Sequence, residues 1–503
     1  QSRSIADNVI DLVVTKILYE KGEAQSLLKL ISCLGSRAPV DLLAISTGRT
    51  SADLEAILEP LVRNGFLVLE GRNVSFVHDR VREAAHTLMT DDERSSNHLV
   101  LGRALLRDHT IIGDAEYTIP AVLNPVMHLL NPAERLELAR LNLAAGSRAR
   151  SGGAFSEAGR YFSQGYSLIE DANWDTDYEL SFALALGLAE SSYLNEEHAK
   201  AVDLFQVCSG RARDPLDSAR VQELRALLLL SEGKLSEAID AGLTGLDTLG
   251  IRLPRHPGQM GPLPDLIACR LWFVRRKIED LSYLKDASDS RIRAAMHLMM
   301  IIGNAAFIGR PALVPVVIAR MVRISLRYGF FEETTFAIVM FGLIIYALGD
   351  PSSAIRFGAT GAAMLSRVKS KEITGKVLYI HACFIRHLSE HGGKSIEAFL
   401  EGYSYSVTAG DTQFQSYNAN HYCIQHLLYG GHFGEALEQF SRFTTLLEQA
   451  GNFDPIQYHK AFKQFAKYLT TGGQNVSTSL EGADFDVATA ERKLKESGSF
   501  TVL

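Results

Sequence analysis

Small residues recur along this chain at a spacing that a stack of helix pairs explains. Alanines stand at 158, 201, 238, 354, 398 and 436. The steps are 43, 37, 116, 44 and 38 residues, and 116 is close to three of the others, so the period is near 40. Around the first alanine, Leu143, Gly146 and Ala149 mark one helix and Gly152-Gly153 a turn. Ala158, Tyr161, Phe162, Gly165 and Leu168 then mark a second helix. Gly146, Ala158 and Gly165 let the two helices approach closely. One such hairpin cannot bury its apolar face alone, so it needs neighbours of the same kind.

The same offsets return in Ala189, Ala201, Phe205 and Cys208, and in Ala226, Ala238, Gly242 and Gly245. They return again in Gly342, Ala354, Gly358 and Gly361, then less regularly in Ala398 and Gly402 and in Ala436 and Phe440. This is the pattern of tetratricopeptide-like repeats. Two divergent units are expected in the gap, at 262–284 and 287–329. Gly250, Gly329, Gly410 and Gly451 fall where left-handed helix C-caps belong. The Tyr161-Phe162 and Tyr403/Tyr405 pairs sit at repeat positions and read as core.

The chain before the repeats has another rhythm. Helices are expected at 5–19, 25–34 and 39–45, and a further one starts at Ser51 as N-cap and ends at Asn64-Gly65. Phe66 to Leu69 and Val74 to Val77 read as a hairpin. Helices followed by a hairpin make a winged helix. Its groove-facing helix carries Asp53, Glu55 and Glu59 with Arg63 only at the end, which is wrong for phosphate contact. The fold expected is mainly α, a winged-helix domain followed by a tetratricopeptide-like superhelix, or solenoid. The boundaries expected are a helical link (1–22), the winged helix (23–89), a helical linker (90–132), the repeats (133–470) and a polar tail (471–503).

At 503 residues, more than one core is required. A composition 47% apolar and 22% charged is that of an ordinary globular chain, and the formal net charge of −7 gives no general pull toward nucleic acid. Five scattered cysteines without a CxxC pair read as reduced thiols in a cytoplasmic setting. The apolar run from Phe336 to Leu348 is too short to span a bilayer. The chain opens at Gln1 without Met, so it reads as a piece of something longer.

At the seam between the two regions lies Phe76-Val77-His78-Asp79-Arg80-Val81-Arg82-Glu83-Ala84-Ala85. Phe76 and Val77 end a strand, and Val81, Ala84, Ala85 and Leu88 follow at helical spacing, with Asp79 expected as N-cap. The run from Val77 to Val81 resembles the Met-His-Asp signature that closes the winged-helix domain of STAND-class signal-transduction ATPases, with Val in place of Met. The longer form is similar to a narrower group of large bacterial proteins. These join a Ser/Thr kinase, a STAND (AAA-type) ATPase, helical repeats and a sensor histidine kinase. Leu138 to Gly146, Asp177 to Leu180 and Leu249 to Pro254 look like recurrent blocks of that group, so the resemblance runs from about residue 5 to about 450. It implies that His78 contacts ADP in the resting state of the parent protein, with ATP/ADP and Mg bound by a domain upstream of Gln1. It also implies partners in cis, an upstream NTPase domain and downstream sensor and kinase domains; the repeats themselves are expected to offer a concave face to a protein or small-molecule ligand.

Other chemistry is thin. Gly393-Lys394-Ser395 lacks the earlier glycine of a phosphate loop, since position 388 is Leu. His387-Leu388-Ser389-Glu390-His391 matches an inverted zinc-protease pattern, and two histidines four apart would share a helix face, but no third ligand is indicated. His421 and His426 read as surface or satisfied core residues. The function expected is non-catalytic: a regulatory and interaction region, with no nucleic acid, metal or membrane span. The alternatives are the sensor region of a MalT-type transcription activator, or an enzyme built on His387 and His391.

Overall fold

The computed structural model describes residues 13–20, 22–258, 260–450, 453–470, 482 and 485–497. Residues 5–12 of the helix expected at 5–19, the C-cap at Gly451 and most of the expected polar tail lie outside these. The chain forms two compact units, residues 1–212 and 213–503.

The first unit opens with α1 (Gly22–Leu34), β1 (Arg37–Pro39), α2 (Val40–Thr47), α3 (Ser51–Arg63), β2 (Leu67–Glu70) and β3 (Asn73–Phe76). The strands form an antiparallel sheet of order β1-β3-β2, the arrangement of a winged helix. Strand β1 was not expected. It is three residues long, below the length at which alternation can be read, and it exists only because β3 supplies its hydrogen bonds. The cap of α3 also differs from expectation. Thr50, not Ser51, is the N-cap, because Thr50 and Asp53 bond reciprocally in a capping box. The exposed face of α3 carries Asp53, Glu55 and Glu59, with Arg63 paired to Glu59.

Helix α4 (Asp79–Thr87) follows directly, then α5 (Asp91–Arg107), which packs on α1 and α2 and is tied to α1 by Lys29–Glu93 (3.1 Å). Next comes α6 (Ala115–Leu123), with Pro120 inside it. Paired helices begin at α7 (Pro132–Ser151) and α8 (Phe155–Ser167), and continue with α9 (Tyr178–Leu194) and α10 (His198–Arg211). The small residues do what their spacing implied. A Cβ on Gly146 would stand 2.7 Å from Phe162, and one on Gly165 2.7 Å from Leu184.

The second unit repeats the device: α11 (Pro215–Ser231) with α12 (Leu235–Thr248), then α13 (Leu263–Phe273), then α14 (Ser290–Gly309) with α15 (Val314–Tyr328). The pairs α16 (Glu333–Ala347) with α17 (Pro351–Ala363), α18 (Lys371–Phe384) with α19 (Ile396–Ala409) and α20 (Thr412–Tyr429) with α21 (Phe433–Ala450) follow. Helix α22 (Phe453–Thr470) comes next, and α23 (Val487–Ser497) last. Ala201, Ala238, Ala354 and Ala436 are all buried. Only one of the two divergent units is a hairpin. Helix α14 packs directly on α12, so 262–284 is an insertion of one helix and a 3₁₀ turn, with α13 docked on α15. Asp265 anchors it, fully buried between Arg320 (2.8 Å) and Arg323 (2.7 Å).

Gly250 and Gly410 take the left-handed cap conformation. Gly329 does not: its φ of 110° with ψ of −162° serves a close backbone approach, where a Cβ would lie 2.3 Å from the Lys285 carbonyl. Among the described residues, α14 alone is long and apolar enough to cross a membrane. Most of it is buried in the second unit's core, against α12, α15 and α16.

Candidate functional site

In the second unit α14, α16, α18 and α20, the first helices of successive hairpins, and α22 after them line a cavity of about 290 Å³. Aromatic rings make its walls: Phe307 from α14, Tyr379 and Phe384 from α18, Phe414 and Tyr417 from α20, and Tyr458 from α22. Tyr379 stacks on Tyr417 (5.5 Å between centroids) and meets Phe414 and His421 edge-on (5.6 and 5.1 Å). His421 in turn stacks on Tyr458 (6.2 Å). Such ring pairs hold one another in place, so the cavity walls are stiff.

Polar groups at the wall are few, and most are engaged. The Asn420 amide donates to the Pro455 carbonyl (2.9 Å), and its oxygen faces His459 Nδ1 (2.7 Å). Gln413 donates to the Tyr417 hydroxyl (3.1 Å). His421 Nδ1 lies 3.2 Å from the Tyr417 carbonyl and 3.4 Å from the Tyr379 hydroxyl; the nearer carbonyl can only accept, so Nδ1 carries the proton, the hydroxyl turns its oxygen to it, and Nε2 is left as an acceptor. Burial holds His421 down at about 4, so the ring is neutral at ordinary pH. Burial likewise pushes the Cys383 thiol up to about 12, which keeps it protonated. The Asn304 side chain makes no hydrogen bond to the described residues. No Asp, Glu, Lys or Arg lines the cavity.

His78, the residue expected to touch nucleotide, is exposed at the β3–α4 junction. It is itself the N-cap, the place expected for Asp79. Its backbone is extended (φ −152°, ψ 144°), and Nδ1 accepts from the Arg80 amide at 3.1 Å. Asp79 is the first helical residue and faces Arg82 at 3.7 Å. Because Nδ1 accepts, the proton of a neutral His78 sits on Nε2, which leaves an N–H free to donate.

The other sequence candidates do not assemble. Gly392–Ser395 is a 3₁₀ turn capped by His391, and the Ser395 hydroxyl is buried against the Ala382 carbonyl (3.3 Å). His387 lies in a separate 3₁₀ turn, while His391 packs edge-on against Tyr429 (4.9 Å), so the two do not share a helix face. Helix α18 stops at Phe384, before either of them. Among the described residues no group of three metal-binding side chains converges. Tyr161 and Phe162 are core, as expected. His421, read as surface or core, is largely buried and also lines the cavity. The signal that marks this site is Tyr379, Tyr417 and Tyr458, 38 and 41 residues apart, one repeat period each.

No family model matches the chain. It is similar to the hybrid signal transduction histidine kinase G of Dictyostelium discoideum, 20% identical over 572 aligned positions that take in 96% of this chain. It spans 16% of that protein's length. Among solved structures, it is similar to a STAND protein with a tetratricopeptide repeat sensor from Pyrococcus horikoshii. That match has 12% identity and a TM-score of 0.46, and covers 95% of this chain and 64% of the other.

Proposed function

We propose that this chain is the non-catalytic regulatory region of a larger signal-transduction ATPase and sensor kinase, and that its repeats receive the input. The observation that carries the reading is the aromatic cavity: five helices of the second unit converge on it. A molecule bound there touches all five at once and so favours one packing of the helices over another. The similarity to a signal transduction histidine kinase along nearly the whole chain supports the setting. The test is a cavity-filling substitution, Ile308→Trp, in the full-length parent. Signal output should lose its response to input while the chain keeps its helical content. An unchanged response sinks the reading.

The winged helix supplies the restraint in this proposal. His78 donates from Nε2 to a β-phosphate oxygen of ADP in the resting state. A charge-assisted bond of that kind contributes about 1.5–3 kcal/mol, so its loss shifts the resting equilibrium roughly tenfold to a hundredfold. His78→Asp keeps a capping acceptor and removes the donor. The full-length parent carrying it should retain less ADP through purification. Equal ADP occupancy leaves His78 as a cap and nothing more.

A further inference from the structure

We infer that the cavity's occupant is a small, neutral, planar aromatic molecule bearing one hydrogen-bond donor. The inference rests on the cavity being the input site and adds the chemistry of what enters it. Size comes first. About 290 Å³ is roughly twice the ~150 Å³ of an apolar cavity that takes up one benzene, so a one- or two-ring molecule fits. Shape comes from the walls. Rings from four helices, Phe307, Tyr379 and Phe384, Tyr417, and Tyr458, present π-faces and edges. A flat ring gains offset-stacked and edge-to-face contacts there that a flexible chain does not.

Charge follows from the lining. An ion entering the cavity loses its hydration and finds no counter-charge, because no acidic or basic side chain lines the wall and the His421 ring is neutral. Polarity follows from the hydrogen bonds already made. Both ends of the Asn420 amide, and the Gln413 N–H, are committed to protein partners. His421 Nε2 has no partner among the described residues and can only accept, because Nδ1 bears the proton. An N–H or O–H on the ligand completes it. Asn304, also without a partner among the described residues, offers a second polar contact from another helix, α14.

The experiment is calorimetric titration of the purified chain with three probes of one shape. Indole is neutral, flat and carries an N–H; indene is nearly isosteric without the donor; indole-3-acetate adds a negative charge. Indole should bind saturably at one site. Indene should bind about tenfold more weakly, the size of one hydrogen bond, and the anion more weakly still. His421→Leu should bring indole down to the level of indene. Asn304→Leu serves as a second variant should His421→Leu fail to fold. Ile308→Trp should abolish binding of both, with an unchanged circular-dichroism melt.

Indole binding that survives Ile308→Trp, or equal affinity for indole and indene, overturns the inference. Tighter binding of heptan-1-ol than of indole, lost in Ile308→Trp, overturns the aromatic class while leaving the cavity as the input site. A tryptophan-bearing peptide that binds where free indole does not moves the occupant to a protein partner and also overturns it.

Discussion

In the proposed reading, His78 serves the fold and the function through different atoms. Nδ1 closes the first turn of α4, and Nε2 is left to face outward as a donor. His78→Ala should cost about 0.5–2 kcal/mol through the lost cap, read as a lower denaturant midpoint, while His78→Asp should cost little. Buried imidazoles carry a separate, pH-dependent signature. Burial holds His381, His421 and His459 at about 4, below the ordinary histidine value. Their unfolded forms therefore take up protons first as pH falls, so stability is full above about 6.5 and drops between about 6.5 and 4. Thermal melts over that range should show the decline, and His421→Leu should make it shallower. His297 runs the other way. Burial opposes its charge, but the hydrogen bond to Glu333 and the charges of Glu223 and Glu372 outweigh it and raise the histidine. Its contribution is complete below about 6.5 and lost as pH rises through the raised value.

At the scale of elements, small residues decide which helices touch. Ala238 is buried in α12, which packs against α11 and α14. Nearby Gly242 and Gly245 leave no spare room: a Cβ on Gly242 would meet Ile302 at 2.6 Å. Ala238→Leu should overpack this layer and cost about 1–3 kcal/mol, measured as a shift in denaturation midpoint. The inserted α13 is held by charge as well as packing. Asp265→Ala strands Arg320 and Arg323, and should cost about 2–4 kcal/mol, less than a fully buried pair because Arg323 is half exposed. Limited proteolysis of that variant should cut first near 255–285. Most hairpins were legible because a small residue on one helix and a large one on the next recur every 40 positions. The insertion was not. Its apolar content equals that of a repeat, and only the direct packing of α14 on α12 shows that no second helix intervenes.

For the whole chain, the proposal places no chemistry in these residues and assigns nucleotide hydrolysis to another part of the parent protein. The purified chain should turn over ATP at background rate, and turnover abolished by a substitution within it would sink that assignment. The two compact units divide inside the expected repeat region, between residues 212 and 213, rather than at the end of the winged helix. Along-chain periodicity carries no mark of that division, since the helix pairs on both sides follow the same small-residue rule.

Helices, hairpins and the strand-to-helix seam follow from local pattern, because apolar spacing, glycine caps and small contact residues act over a few turns of chain. Residue type also assigned the buried faces. What tertiary packing alone decided were features needing distant partners. Strand β1 exists by pairing with β3, and the Asp265 clamp by folding α13 onto α15. The cavity exists because aromatic side chains a full repeat apart are brought to one wall. Its chemistry depends on tautomers, and a tautomer is set by which oxygen happens to lie opposite each ring nitrogen. That information is absent from residue order until the helices are stacked.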